Sequence, residues 1–480
     1  MMMKPPVYII IVSLSVLLFT FSPVIAQEQI ARPDWHTKVG AQSKPSATKE
    51  FFVNDYGGKN DGTTLNTAAI QSAIDSCAKN GGGIVRFQPG SYLTGSIFIK
   101  SNVHLHIDSG VTLLGSQNID DYNVIDTRVA GIEMEWPAAL INILNQENAA
   151  ISGNGLIHAQ GKPFWEQYWR MRTEEYEPKG LRWVVDYDAR RPRTILVSDA
   201  KNITLKDLEI QQAGFWTVQI LYSTYVTVDG LTINNNVGGH GPSTDGIDID
   251  SSSWILVQNT DVDCNDDNFC IKAGRDADGL RVNRPSEYIV IRDCFARRGG
   301  GLLTLGSETS GSIRHVYASN IQGSGTKNCL NIKSAITRGG TVEHIVLENV
   351  MMDSVGVVLQ VNMNWNPSYS YSKLPEGYNY EDIPNHWKKL LQSVEPAERG
   401  IPTFRNITMR NVHIKGANRA INVEGLPSSW VEQITLQNVS IEAKEAGKIR
   451  YSKNWDIQDF QLLTKDGSAI EKENTENISL

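Results

Sequence analysis

Three aspartates have the type and spacing to do chemistry together. Asp245 sits in Ser243-Thr244-Asp245-Gly246-Ile247-Asp248, and Asp266 and Asp267 sit in Cys264-Asn265-Asp266-Asp267-Asn268. Asp245 and Asp266 are 21 residues apart, close to one turn of a parallel β-helix. Such a turn stacks the carboxylates on adjacent rungs, and strands in a ladder lie roughly 4.8 Å apart. Paired carboxylates at that scale suit glycoside hydrolysis, in which one protonates the leaving oxygen and another activates water. The pair sits roughly 6.5–9.5 Å apart when the reaction inverts and about 5–5.5 Å apart when it retains. A third carboxylate adds a like charge that raises a neighbour's pKa. The same residues also suit a calcium site or a solvated turn.

The elements that must position them repeat. An alternating apolar strand, a turn with Asn or Asp-Gly and a second short strand recur along the chain. The recurring phrase is seen in Asn202-Ile203-Thr204-Leu205, Tyr225-Val226-Thr227-Val228 and Trp254-Ile255-Leu256-Val257. Its apolar anchors fall at 203, 226, 255, 289, 316, 345, 407 and 434, with steps of 23, 29, 34, 27, 29, 62 and 27 residues. A β-rich period in the twenties predicts an all-β, right-handed parallel β-helix. The 62-residue step is either two coils with extra loop or one coil with a long insertion. Two long insertions are expected, near 115–193 and near 362–400. Both are rich in aromatic residues, with Trp136, Trp165, Trp169 and Trp183 in the first. Such rings either stack on sugars or pack the loops onto the coil.

Before the repeats, Thr67 is placed to cap a short helix carrying Ala69, Ile70, Ala73, Ile74 and Cys77, ended by Gly81-Gly82-Gly83. One helix ahead of many strands fits the cap that covers a solenoid's open end. The segment 50–480 is therefore expected to be a single domain. Residues 27–49 read as a polar linker. Residues 1–26 read as a signal peptide: Lys4, an apolar run from Val7 to Phe21, and small residues at Val24-Ile25-Ala26 before Gln27. This implies export to a periplasm or outside the cell, with an uncleaved anchor as the alternative. No later segment approaches the ~18 apolar residues of a membrane span.

The formal net charge of −8 on 480 residues gives no reason to expect a nucleic-acid partner. The five cysteines match no zinc spacing. Cys270 and Cys294 would either stack on neighbouring coils as a disulfide or remain buried thiols. Asn-x-Ser/Thr sequences occur at Asn202, Asn406, Asn438 and Asn477, and the first three are read as coil-turn asparagines rather than glycan sites.

Several stretches, taken in order, carry a resemblance. Arg191-Pro192-Arg193, Gly214-Phe215-Trp216-Thr217-Val218, Thr244-Asp245-Gly246-Ile247-Asp248, Asp266-Asp267-Asn268, Leu305-Gly306-Ser307-Glu308 and Ile332-Lys333-Ser334 resemble the polygalacturonase-like glycoside hydrolases of family 28. The resemblance implies an inverting, cofactor-free and metal-free pectin hydrolase acting as a monomer on a pectic polysaccharide or oligosaccharide. It implies Asp266 as general acid, Asp245 and Asp267 as the pair that holds and activates water, and Lys333 as a ligand of a substrate carboxylate. Two family residues are replaced. The usual Gly-His-Gly is Gly299-Gly300-Gly301, and the usual Arg-Ile-Lys is Asn331-Ile332-Lys333. Asn331 hydrogen-bonds but offers no charged fork. His240 and Arg275 are the nearby candidates to supply the lost imidazole and guanidinium, and Glu308 is expected to have a structural or subsite role. The two aromatic insertions would wall off one end of the cleft and give exo action on chain ends or on a branched pectin, and the altered subsite suits a rhamnogalacturonan or a decorated side chain better than plain polygalacturonan. Competing readings are a calcium-dependent pectic lyase and a catalytically inactive, carbohydrate-binding β-helix.

Overall fold

The computed structural model describes residues 32–480, so the signal peptide expected at 1–26 lies outside the described residues. Trp35–Leu480 folds as one unit: a right-handed parallel β-helix of 31 strands in one continuous ladder. The sequence anchors are its register. Ile203 pairs with Val226, Val226 with Ile255, Ile255 with Ile289, Ile289 with Val316, Val316 with Ile345, Ile345 with Ile407, and Ile407 with Ile434. All eight are buried and fill the solenoid's interior. The direct pairing of Ile345 with Ile407 resolves the 62-residue step as one coil with a long insertion.

The residue before each anchor turns the chain with a left-handed φ, from 54° to 61°, at Asn202, Tyr225, Trp254, Tyr288, His315, His344, Asn406 and Gln433. A side chain other than glycine pays for that conformation in backbone strain, and stacking between rungs offsets it. Tyr225, Trp254, Tyr288, His315 and His344 lie face on face, with ring centroids 4.3–6.0 Å apart. At another corner Asn438, Asn411, Asn349 and Asn320 pass amide hydrogen bonds down a ladder at 2.9–3.1 Å. Asn202, Asn406 and Asn438 thus occupy coil turns.

The helix Thr67–Lys79 buries Ile70, Ala73, Ile74 and Cys77 against the first rungs. Asn66, not Thr67, precedes it; the Thr67 hydroxyl instead accepts the Gly95 amide at 2.8 Å. Part of the expected linker is docked. Gly40 N–H donates to the Trp254 carbonyl at 2.9 Å, and Gln42 N–H to Asn202 at 3.1 Å. Around that strap, Trp35 and Val39 pack with Val290 and Tyr317.

The stretch 115–193 is not a single insertion, because Ile141–Leu144, Glu147–Ser152 and Leu156–His158 complete a coil inside it. Two excursions flank that coil: an antiparallel hairpin, Val124–Val129 with Ile132–Pro137, and a helical segment opened by Lys162–Arg170. The excursion at 363–400 carries the helix Asn385–Leu390. Trp136, Trp183, Phe215, Trp216, Trp387 and Leu390 form a second apolar cluster that binds the excursions to the coil. Trp136, Trp165 and Trp183 are buried, so packing rather than sugar contact is their role. All five cysteines are free and buried. Cys270 pairs in register with Thr304, not with Cys294.

Candidate active site

One face of the coil is a run of short strands: Val218–Leu221, Ile247–Asp250, Phe269–Lys272, Leu303–Leu305 and Asn328–Lys333. Ile247 pairs with Phe269, and Phe269 with Leu303. Asp245 and Asp267 each lie two residues ahead of a paired strand start. The register continues through them, since Gly246 N–H donates to the Asp267 carbonyl at 2.9 Å. Gly301 follows on the next rung, its carbonyl accepting Asn268 N–H at 2.9 Å. The spacing read from the sequence therefore stacks the aspartates as expected. One oxygen from each of Asp245, Asp266 and Asp267 lies within 4.8 Å of the other two, so the three carboxylates converge on one point of the cleft.

The three carboxylates differ in environment. Asp267 is 2% exposed. It accepts from Lys333 Nζ at 2.9 Å and from Thr304 Oγ1 at 2.7 Å. Burial opposes its charge, but Lys333 and Lys272 overcome that and hold it below the usual carboxylate range. Asp266 is half-buried at the cleft surface. Burial and the neighbouring Asp267 charge raise its pKa, so it retains its proton to higher pH. Burial, then Asp248, pushes Asp245 well above its ordinary value. An ionised carboxylate stands beside two that favour their protons, the division of labour that acid–base catalysis needs.

Beneath them lies a group not singled out in the sequence. Lys272 Nζ reaches Asp248 at 3.3 Å, Asp245 at 3.4 Å and Glu308 at 3.8 Å. It also stands 4.9 Å from the Trp216 ring centroid. One ammonium serves three carboxylates, and burial leaves Asp248 with a pKa raised to about 7. The available signal was Lys272 itself, the one charged residue in the apolar strand Phe269–Lys272 that follows the aspartate pair.

The aspartates open into a cleft of about 330 Å³. Its lining includes Lys333, Asn331, Gly300 and Glu308, together with Arg172 and Arg182 from one excursion and Trp365 and Tyr369 from another. Asn331 and Lys333 thus fall where the motif places them, although Lys333 is already engaged by Asp267. Arg275 requires correction. It is 1% exposed. Its guanidinium is held by Asp276 at 3.0 Å, the Tyr187 hydroxyl at 2.8 Å and the Tyr369 carbonyl at 2.9 Å. It braces the excursions and offers nothing to a ligand. His240 is exposed and does not line the cleft; its carbonyl accepts the Trp169 indole N–H at 3.0 Å. Arg191 and Arg193 are also buried braces: Arg191 donates to the Pro242 carbonyl at 2.7 Å and Arg193 to Gln219 at 2.6 Å.

A parallel β-helix that stacks three carboxylates in an open, cation-lined cleft is the frame of a glycoside-cleaving enzyme. The profile of Glycosyl hydrolases family 28 matches residues 88–385, and the chain belongs to that family. It is 28% identical to a probable polygalacturonase of Vitis vinifera over 410 residues, 83% of this chain and 75% of that one. It is 26% identical to an exo-poly-alpha-D-galacturonosidase of Dickeya chrysanthemi over 443 residues, 82% and 67% of the respective chains. A hyperthermoactive exopolygalacturonase of Thermotoga maritima superposes with a TM-score of 0.69 at 25% identity, covering 92% of this chain and 95% of that one.

Proposed function

We propose that this family 28 hydrolase removes α-linked galacturonate from the end of a pectic chain, with inversion. The observation that carries the reading is the carboxylate trio with unequal proton affinities, set in a cleft walled by basic residues. Asp266 gives its proton to the glycosidic oxygen as the carbon–oxygen bond breaks. Asp267, ionised beside Lys333, takes a proton from a water that Asp245 helps to hold, and the resulting hydroxide bonds to the anomeric carbon. The products are a free galacturonate and the shortened chain with a new hydroxyl. Asp245 acts as a water-holding group rather than the base, because burial favours its protonated form.

Exo action is supported by the excursions, whose Arg172, Arg182, Trp365 and Tyr369 wall the same cleft as the aspartates, and by the exo-acting relatives. A rhamnogalacturonan or branched pectin suits a subsite in which Asn331 stands for the family arginine. The hydrolase reading is favoured over a calcium-dependent lyase because Lys272 and Lys333 already compensate the acidic cluster. Export rests on the N-terminal sequence; among the described residues no helix is long and apolar enough to cross a membrane. The test is mass spectrometry of products from oligogalacturonides, rhamnogalacturonan oligosaccharides and branched pectin fragments, with NMR of the first anomer formed. Single galacturonate carrying an added water, released as the inverted anomer, is expected. Asp266→Asn should lower kcat by roughly a thousandfold or more while the protein remains folded. Unsaturated products, or activity abolished by a chelator, would replace hydrolysis with elimination.

A further inference from the structure

The family arginine that would meet a substrate carboxylate is Asn331 in this chain, and the lysine two residues on is occupied by Asp267. Five cationic side chains line the cleft: Arg172, Arg182, Lys272, Lys327 and Lys333. Four have carboxylate partners. Arg172 pairs with Glu177 at 2.7 Å, Arg182 with Asp186 at 2.6 Å, Lys272 with Asp245, Asp248 and Glu308, and Lys333 with Asp267 at 2.9 Å. Among the described residues of the lining, Lys327 is the cation that forms no salt bridge; it is exposed, and its charge reaches Asp266 only through space.

Its backbone is fixed relative to the acid. Lys327 N–H donates to the Gly299 carbonyl at 2.8 Å, and Gly300 N–H donates to the Asp266 carbonyl at 2.7 Å. The side chain of Asn328 donates to the Gly300 carbonyl at 2.8 Å and ties the same turn down. Lys327 therefore stands two rungs beyond Asp266, across the segment in which glycine replaces the family histidine. Asn331 lines the cleft from the strand that follows Lys327.

Resting on the hydrolase reading above, we propose that Lys327 binds the carboxylate of a uronate on the leaving-group side of the scissile bond, with Asn331 supplying a neutral hydrogen bond to the same sugar chain. Charge recognition has moved from the strand floor to the preceding turn. The floor is left free for a neutral sugar or a differently placed uronate. A lysine is a point charge on a flexible stem, so it recognises the carboxylate without the bidentate geometry of an arginine.

The experiment compares wild type, Lys327→Met and Lys327→Arg on digalacturonate and on a rhamnogalacturonan tetrasaccharide with a terminal galacturonate. Each substrate is used with its leaving-side carboxyl free or methyl-esterified. On the substrate that wild type cleaves, Lys327→Met is expected to raise KM roughly tenfold or more for the free acid. It should leave kcat, and KM for the ester, within about twofold, whereas Lys327→Arg keeps KM near wild type. Equal behaviour of Lys327→Met and wild type on the free acid, or an equal loss on acid and ester, overturns the assignment while leaving the hydrolase intact. No galacturonate released by wild type from any substrate overturns the hydrolase reading and this assignment with it.

Discussion

Restoring the family histidine is expected to damage this enzyme. A Cβ at Gly300 would lie 2.8 Å from Asp267 Oδ1 and 3.1 Å from Asp266 Oδ1, where ordinary contact begins near 3.4 Å. The Asp267 carboxylate would have to move by about half an ångström, yet Thr304 at 2.7 Å and Lys333 at 2.9 Å hold it. A hydrogen bond to a charged group contributes about 1.5–3 kcal/mol, and misplacing a catalytic group by 1 Å costs on the order of a hundredfold. Gly300→Ala should therefore lower kcat roughly 10- to 100-fold with KM changed little. Gly300→His should be at least as impaired, although it recreates the family motif. The assay is steady-state release of galacturonate, with circular dichroism to confirm that each variant is folded. A Gly300→His variant as active as wild type, or more so, refutes the reasoning, because the carboxylates would then not be held where the geometry places them.

Two other perturbations test neighbouring claims. Lys333→Met removes the cation that lowers the Asp267 pKa, so Asp267 should bind its proton at higher pH; the acid limb of the kcat/KM profile should move upward, and an unmoved limb would remove Asp267 as the base. Arg275→Ala should destabilise the protein by about 3–5 kcal/mol, because it breaks a buried ion pair and frees Tyr187 and the Tyr369 carbonyl. Urea titration reads that loss, and unchanged stability with a raised KM would instead return Arg275 to the cleft.

The repeat was legible because a β-helix writes its period into the chain. Each coil must turn one apolar residue inward at the same corner, so the anchors from Ile203 to Ile434 predicted the register that pairs them. The aspartate stack followed from the same period. The excursions were less legible, since aromatic residues in a loop pack or bind with equal ease, and only the fold shows Trp136 and Trp183 inside and Trp365 at the cleft. The coil hidden at Ile141–His158 was missed because its strands stand between two long excursions and were absorbed into them.

What the sequence determined by itself was local and periodic: the solenoid, its cap, the three acids on adjacent rungs and the two replaced family residues. The tertiary structure decided which charges are free. Arg275 and Lys327 are equally cationic in the chain. One is buried beneath hydrogen bonds from two excursions, whereas the other stands exposed in the cleft without a salt bridge. Lys272 looks like a lone charge in an apolar strand until three acids from the two neighbouring rungs converge on it. Burial and charge pairing depend on residues tens to hundreds of positions away, which no local spacing encodes.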